Sequence, residues 1–282
     1  MSSSAAIADL TAERVVEGVY AVARKRRLRT RSGSPYLALE LVDASGRIEA
    51  RIWNDVELLD GRFEEGVAVR VLGRVERYRD RLQLEVRTLE PVRDADPADY
   101  LPVIRRDADE LEGFLDFLTA EIAYAPLRAT VEAVLGAGET RRLLHLLPAT
   151  PDGHHGYAGG LLEHTVGVAT LARETAQVHA RLRADLLTAA ALLHDIGRTA
   201  ELRVGPGFRP TDEGRLLGHV HLGLRIVEER HAGLKADVLA ELLHAIASHH
   251  DARAARTAEA AVLYHANQLD AVAATRSVGE DA

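Results

Sequence analysis

Histidine side chains, which bind metals and transfer protons near neutral pH, are confined to the second part of this 282-residue chain. All thirteen follow residue 144, and His194 stands beside Asp195 at the end of an apolar run. An ionised carboxylate without a partner is costly to bury, and a divalent cation accepts both groups. A buried His–Asp hydrogen bond is the alternative for an isolated pair. Four more histidines recur at similar points of neighbouring helical segments: His164, His219, His249 and His250. The pattern therefore favours a metal site.

The available ligand types limit the metal. The chain has no cysteine, which excludes disulfides and thiolate ligands. Histidine nitrogens and carboxylate oxygens suit manganese, iron, cobalt, nickel or zinc, and the residues alone leave this choice open.

The first part of the chain shows the period-2 hydrophobic alternation of β-strands. Five strands are predicted between residues 14 and 93, with a helical or looped insert near Val56–Phe63. The strands are Val15–Val22, Tyr36–Val42, Arg47–Trp53, Val67–Leu72 and Arg81–Val86. Five short strands within roughly 80 residues predict a small closed barrel, and the OB-fold is the leading candidate.

A run of cations follows the first predicted strand, and we expect it in the loop before the second. It consists of Arg24, Lys25, Arg26, Arg27 and Arg29. Three aromatic residues offer rings for base stacking: Tyr36, Trp53 and Tyr78. Cations along a phosphate backbone and rings that receive bases are typical of a single-strand nucleic-acid groove. A solvated loop, with Trp53 in the core, is the alternative.

The hydrophobic period changes after a proline-rich and acidic stretch, which predicts a linker at residues 94–108. From residue 109 to residue 274 the apolar residues recur at helical spacing, which predicts an all-α bundle. The predicted fold class is therefore multidomain β + α, with a barrel at 14–93, a flexible N-terminus at 1–13 and a flexible tail at 275–282. Inward-facing side chains of separate helices can assemble a metal site in such a bundle.

Several motifs of the helical part occur in the order found in HD-domain phosphohydrolases. The chain reads HHGYAGGLLEHT from His154, LHDIGR from Leu193, GRLLGH from Gly214 and SHH from Ser248. This order resembles the YhaM-type 3′→5′ exoribonucleases, which join an OB-fold to an HD domain. The first block is the most distinctive, because a lone His–Asp pair is a weak signal.

Carried over position by position, this resemblance implies two divalent metal ions, with manganese favoured by family precedent. His164, His194 and Asp195 look like ligands of a first metal, with Asn267 at the remaining position. Asp195 would bridge to a second metal, whose further ligands resemble His219, His249 and His250. A bridging carboxylate can hold two cations about 3.5–4 Å apart, the spacing that supports in-line phosphoryl displacement.

The resemblance also suggests three residues for catalysis: Asp195, Arg198 and His155. Arg198 stands where relatives carry lysine and would bind the scissile phosphate, with a surface salt bridge as the alternative. His155 is expected at the mouth of the pocket, where capping of the next helix would also explain it. Glu163 is either a hydrogen-bond partner of the centre or a helix-surface charge.

Two departures from the family pattern affect this expectation. Asn267 occupies the position of an aspartate that completes the first metal's shell in relatives, so a lower metal affinity is expected. Asp270 lies three residues further on the same helical face and is expected to compensate in part. The short segment Asp251–Thr257 lacks the glycine and proline of relatives, which affects the substrate-side loop.

The combined pattern predicts a metal-dependent 3′→5′ exoribonuclease that hydrolyses single-stranded RNA, or DNA, to nucleoside monophosphates. Two alternatives stay open: a nucleic-acid-binding protein with a weakened HD site, and a small-nucleotide phosphohydrolase of the HD type. No apolar run reaches the roughly 18 residues of a membrane helix, so no membrane partner is expected. The expected location is cytoplasmic, and a homo-oligomer stays open.

Overall fold

The apolar–polar alternation of the first part of the chain produces a closed five-stranded barrel in the computed structural model, with strand order β1-β2-β3-β5-β4. The strands are β1 Val15–Arg29, β2 Pro35–Asp43, β3 Gly46–Ile52, β4 Ala68–Tyr78 and β5 Arg81–Pro91. Helix α1, Val56–Asp60, follows β3 at the predicted insert. β3 and β5 pair in parallel, and the other described pairs are antiparallel.

The structure describes residues 5–79, 81–92, 100–101, 104, 106–136, 138–151, 153–205 and 207–275. The chain divides into two units, Met1–Val103 with Val204–Arg209, and Ile104–Arg203 with Pro210–Ala282. The sequence pattern does not indicate that residues 204–209 group with the barrel. The boundaries at residues 93 and 109 stay predictions, and most of residues 93–105 lie outside the described part.

The basic run lies within β1, so its predicted position in a loop is wrong. β1 pairs with β2 from Arg24, opposite Glu40, to Arg29, opposite Pro35. The register shifts just before Arg24, where a β-bulge bends the strand and increases its twist. Consecutive charges favour a loop in the sequence, but the hydrogen bonds of the strand ladder involve only the backbone.

Part of the segment predicted as a flexible N-terminus packs into the barrel. A short 3₁₀ turn, Ile7–Asp9, places Ile7 and Leu10 in the barrel core. The backbone N–H of Ile7 donates to a carboxylate oxygen of Asp43 at 2.8 Å. Residues 1–4 and the predicted tail from 276 onward lie outside the described residues.

The second unit is helical, as predicted. Its helices are α2 Ala108–Ala120, α3 Ala125–Leu135, α4 Gly138–Leu146, α5 Gly160–Val178, α6 Ala184–Leu193, α7 Arg198–Glu201, α8 Asp212–Arg230, α9 Ala236–Ser248 and α10 Ala258–Thr275. Two of these helices are short, because α4 has nine residues and α7 is a single turn. No helix of the described residues is long and apolar enough to cross a membrane.

Helix α6 lies at the centre of this unit. Every residue from Leu186 to Leu193 is buried, and a helix that is apolar on all sides requires packing on all sides. The chain therefore delivers the next two residues, His194 and Asp195, directly into the interior, where they are 0% and 3% exposed.

Candidate metal centre and nucleic-acid interface

Two ends of helices orient histidines in the same way. His194 and His249 are the C-cap residues of α6 and α9. Their Nδ1 atoms lie 2.7 Å from the carbonyl oxygen of Ala191 and 2.6 Å from that of Ile246. Each ring thus donates Nδ1–H to a carbonyl of the last helical turn, and its Nε2 lone pair is available to a cation.

The first donor set, called site A, comprises His164, His194 and Asp195. His164 of α5 donates Nδ1–H to Asp270 Oδ2 at 2.7 Å, and its Nε2 lies 3.2 Å from Nε2 of His194. The same two nitrogens lie 3.8 and 3.9 Å from Oδ2 of Asp195. Three potential ligand atoms therefore converge on one point in the interior.

The second donor set, called site B, comprises Asp195, His219, His249 and His250. Oδ1 of Asp195 lies 3.3 Å from Nε2 of His219 and 3.4 Å from Nε2 of His249. Nε2 of His250 lies 2.8 Å from Nε2 of His219. Asp195 therefore directs one carboxylate oxygen to each site.

These donors fit divalent cations. A metal about 2.1 Å from each ligand atom holds neighbouring ligand atoms roughly 3.0–3.5 Å apart, close to most of the observed separations. Asp195 Oδ1 and His249 Nε2 are buried and have no hydrogen-bond partner among the described residues. Unpaired buried polar atoms are costly, and a cation would satisfy both. The nitrogen and oxygen donors suit manganese, iron, cobalt, nickel or zinc.

The protonation states favour metal binding. Burial would raise the pKa of Asp195, but His194, His249 and Arg198 hold that pKa well below its usual value. Burial lowers the pKa of His194 well below its usual value and the pKa of His250 to about 4. The Asp195 carboxylate and the neutral imidazoles of His194 and His250 are therefore in their metal-binding forms at neutral pH.

Asn267 of α10 is buried beside the centre and contacts site B. Its amide Nδ2 donates to the backbone carbonyl of His249 at 3.3 Å. A carboxylate in this position has no proton to donate, so asparagine supports the end of α9 in a way that aspartate could not. Its assignment as a ligand of the first metal stays a prediction.

A hydrogen-bond chain extends outward from His164. Asp270 Oδ2 also lies 2.9 Å from Nε2 of His155, whose Nδ1 lies 2.7 Å from the Tyr157 hydroxyl. That hydroxyl donates to Glu163 at 2.6 Å. Burial lowers the pKa of His155, but Asp270 and Glu163 outweigh it and raise that pKa to about 9. Because both ring nitrogens of His155 are engaged, the geometry favours a supporting role, and its predicted catalytic role stays a prediction.

The barrel carries an exposed group of stacking and basic side chains, called the platform. Leu28 lies opposite Tyr36, whose ring centroid is 4.8 Å from that of Trp53. In the next row, Arg26 and Arg51 flank β2, and the Arg51 guanidinium lies 6.0 Å from the Tyr36 ring centroid. Directly opposed residues of antiparallel strands project from the same face, so these five side chains share one surface.

Other cations of the basic run are engaged elsewhere. Lys25 pairs with Asp60 at 3.0 Å, and Arg27 reaches the same carboxylate at 3.3 Å. Arg29 donates to the carbonyl of Gly33 at 2.9 Å. The run therefore divides into residues that hold the barrel together and a residue, Arg26, that lies on the platform.

Arg24 and Tyr78 lie away from the platform's aromatic pair. Arg24 lies opposite Glu40, two residues along β1 from Arg26. Tyr78 lines a cleft of about 690 Å³ together with Arg47, near the start of β3, whereas Trp53 follows the last residue of that strand. Six residues of strand span roughly 20 Å, so the structure does not bring Tyr78 to Trp53.

Comparisons with known proteins agree with both parts of the fold. Residues 161–272 match the family model described as HD domain, and residues 19–92 match the model described as OB-fold nucleic acid binding domain. A relative from Geobacillus sp. (strain WCH70), named 3′-5′ exoribonuclease YhaM, is 28% identical over 255 residues, covering 85% of this chain and 77% of the relative.

A relative of the same name from Oceanobacillus iheyensis is 30% identical over 244 residues, covering 83% of this chain and 75% of the relative. The chain belongs to the YhaM family. The predicted family resemblance and the predicted barrel followed by an HD bundle are thereby confirmed. The solution structure of the second OB-fold domain of replication protein A from Methanococcus maripaludis is also similar. It covers 33% of this chain and 98% of its own, with 19% identity and a TM-score of 0.27.

This YhaM family member orients Arg198 with a residue that the motifs do not reveal, Glu201. Arg198 Nη1 donates to Glu201 at 2.6 Å, and Arg198 Nε lies 3.7 Å from Asp195. Glu201 also accepts from the backbone N–H of His219 at 3.1 Å. Spacing supplies a signal, because Glu201 follows Arg198 by three residues on one helical turn.

Replacing Asp270 by asparagine is expected to lower the metal affinity of this YhaM family member by roughly 10–100-fold, the usual effect of losing a partner of a metal-bound histidine. The neutral amide removes the charge-assisted acceptor that orients His164. Isothermal titration with Mn²⁺ measures the effect. Asp237→Asn, at an exposed carboxylate of α9, is the matched control. Equal Mn²⁺ affinities of the two variants would contradict the role assigned to Asp270.

Proposed function

We propose that the chain is a metal-dependent 3′→5′ exoribonuclease that hydrolyses single-stranded RNA to nucleoside monophosphates at a dinuclear centre. The observation that carries this proposal is the Asp195 carboxylate, which directs one oxygen to each of two histidine sets. The curated relatives named 3′-5′ exoribonuclease support the reaction class. The nitrogen and oxygen donors support divalent cations, and manganese is the proposed metal.

Each group of this chain has a defined task in the proposal. His164 and His194 would hold one cation, the histidines of site B would hold the other, and Asp195 would bridge them. When bound, two such cations lower the pKa of water and neutralise charge at a phosphate. The Arg198 guanidinium lies beside Asp195 and would bind a phosphate oxygen while Glu201 keeps it in place.

The barrel is proposed to bind the RNA strand through its platform. The Tyr36 and Trp53 rings would stack on bases, which is worth about 1–3 kcal/mol per base and tolerates any sequence. Arg26 would contact a backbone phosphate, whereas Arg51 pairs with Glu49 at 2.7 Å and lies beside the Tyr36 ring. Single-stranded DNA offers similar bases and the same phosphates, so the platform accounts for single-strand binding without selecting RNA.

The activity is tested with purified, metal-depleted protein and 5′-labelled single-stranded RNA. We expect a ladder of progressively shortened 5′-labelled products when Mn²⁺ is added, and none when EDTA is present. Chromatography should identify nucleoside monophosphates as the released product. Intact RNA after addition of each of the five candidate metals would refute the proposal.

A second candidate function, nucleic-acid binding with little catalysis, is favoured by one observation. Asn267 replaces the carboxylate expected in the first metal's shell and uses its amide N–H on the His249 carbonyl. Under this alternative the RNA-binding affinity is unaffected by EDTA and the degradation assay is negative. The RNA-binding assay and the degradation assay, carried out on the same protein preparation, therefore distinguish the two candidate functions.

Replacing Arg26 by alanine is expected to weaken RNA binding and to lower the slope of log affinity against log salt by about 0.7, the value of one phosphate contact on a single strand. Arg27→Ala is the matched control, because it removes the same charge from a side chain paired with Asp60. Fluorescence anisotropy at several salt concentrations measures both. Equal salt slopes for the two variants would contradict the assignment of Arg26 to the platform.

A further inference from the structure

The two metal sites are unequal in the number of ligands they offer. Site B contributes four groups, Asp195 and three imidazoles, whereas site A contributes His164, His194 and the shared Asp195. Ligand number and charge are among the properties that set the affinity of a metal site. By this criterion a single cation is held more firmly in site B.

The separations of the ligand atoms favour the same site. Three of the six separations between the ligand atoms of site B are 2.8, 3.3 and 3.4 Å. Those in site A are 3.2, 3.8 and 3.9 Å. One cation requires neighbouring ligand atoms roughly 3.0–3.5 Å apart, so these three pairs of site B need less rearrangement than the two longer pairs of site A. Preorganised groups lose less free energy on binding.

Site B contains two buried atoms that lack a hydrogen-bond partner among the described residues, Asp195 Oδ1 and His249 Nε2. In site A, Nε2 of His164 and Nε2 of His194 lie within hydrogen-bond distance of each other. In site B the same is true of Nε2 of His219 and Nε2 of His250. A first cation in either site therefore replaces such a contact, and one in site B also satisfies two unpaired atoms.

Asn267 increases the difference between the sites. Its amide N–H is donated to the carbonyl of His249, a ligand of site B, so it supports that site. As a ligand of site A it would contribute a neutral oxygen without charge. Asp195 would then be the single carboxylate that binds both divalent cations, and their mutual repulsion would oppose the second binding step.

We infer that site B binds the first cation tightly and that site A binds the second cation weakly, with Asn267 as a residue that increases the difference. This inference rests on the proposed metal-dependent function and concerns the same centre. It predicts that the chain holds a single ion over a wide range of metal concentration. The chain acquires its second ion only at the upper end of that range.

Stepwise titration of the full, metal-depleted chain with Mn²⁺ tests the inference. We expect one equivalent to bind at least tenfold more tightly than a second, which is the smallest ratio that separates two binding isotherms. A tenfold ratio corresponds to a difference of about 1.4 kcal/mol in binding free energy. Pulsed EPR of the one-equivalent sample counts directly bound imidazole nitrogens. Three nitrogens identify site B, and two identify site A. A count of two would overturn the inference.

Paired variants test the order independently. His250 is exposed, so His250→Ala leaves no core cavity. It should weaken binding of the first Mn²⁺ by more than roughly 100-fold, which exceeds the effect of losing a hydrogen-bond partner of a metal ligand. His164→Gln should leave the first constant within about threefold and weaken only the second. The opposite pattern would overturn the inference. Melting curves in EDTA check that each variant is folded.

Asn267→Asp tests the residue assigned to the difference. The added carboxylate should strengthen binding of the second Mn²⁺ by at least roughly tenfold, and the two-equivalent sample should then show a spin-coupled EPR signal. An unchanged second constant would overturn the role of Asn267. Absence of any Mn²⁺ binding by the parent chain would refute the metal centre itself. Tight Mn²⁺ binding without RNA shortening would refute only the proposed activity.

Discussion

Replacing Asp195 by asparagine is expected to reduce the rate of RNA hydrolysis by more than roughly 100-fold. Loss of a residue that only hydrogen-bonds to a metal ligand already lowers metal affinity or activity by roughly 10–100-fold. Among the described residues, Asp195 alone belongs to both site A and site B. Asparagine has nearly the same shape but a single carbonyl oxygen, and its NH₂ group would direct protons at imidazole nitrogens. One substitution therefore weakens both sites without creating a cavity.

The rise in melting temperature on adding Mn²⁺ separates loss of metal binding from loss of folding. A ligand that binds only the folded state stabilises it by RT ln(1 + [L]/Kd) and so raises the melting temperature. The parent should therefore show a rise and Asp195→Asn should not. Asp237→Asn, at an exposed carboxylate, should behave like the parent. A full Mn²⁺-dependent rise together with normal RNA shortening in Asp195→Asn would contradict the bridging role.

The side chains of sites A and B stand out in the sequence because each belongs to a short motif, and two of them lie at helix ends. His194 and His249 close α6 and α9, and local spacing is sufficient to place them. Asp270 is different, since its partner lies on another helix, as does the His219 backbone N–H that donates to Glu201. Nothing within a few residues of Asp270 indicates that it accepts a hydrogen bond from His164, 106 positions earlier.

The basic run shows the opposite situation. Its composition indicates a function, but the sequence does not show which of its side chains share a face of the barrel. Five cations predict a nucleic-acid surface, but only the strand register shows that Arg26 shares a face with Tyr36 while Lys25 turns to Asp60. A shift of one residue reverses every side chain of a strand. The β-bulge before Arg24 changes that register, and no residue of the basic run predicts the bulge.

Helix α7 begins next to α8, and glycine at position 197 permits this close approach. A Cβ atom on Gly197 would lie 1.8 Å from the carbonyl oxygen of His219 and 2.5 Å from the backbone nitrogen of Gly223. Both neighbouring atoms belong to the backbone of α8 and cannot rotate away. Any larger residue at 197 must therefore displace the helix that carries His219.

Replacing Gly197 by alanine is accordingly expected to destabilise the helical unit by about 3 kcal/mol, the upper part of the usual range for overpacking. Movement of His219 should also weaken Mn²⁺ binding in the fraction that stays folded. Gly113→Ala is the matched control: its Cβ meets nothing within 4 Å, and alanine in an exposed helix should stabilise by roughly 0.5–1 kcal/mol. Urea unfolding in EDTA and Mn²⁺ titration below the transition measure the two effects separately. Parent-like stability and affinity in Gly197→Ala would show that the backbones of α7 and α8 are further apart, and would remove the steric basis for placing His219 against Asp195.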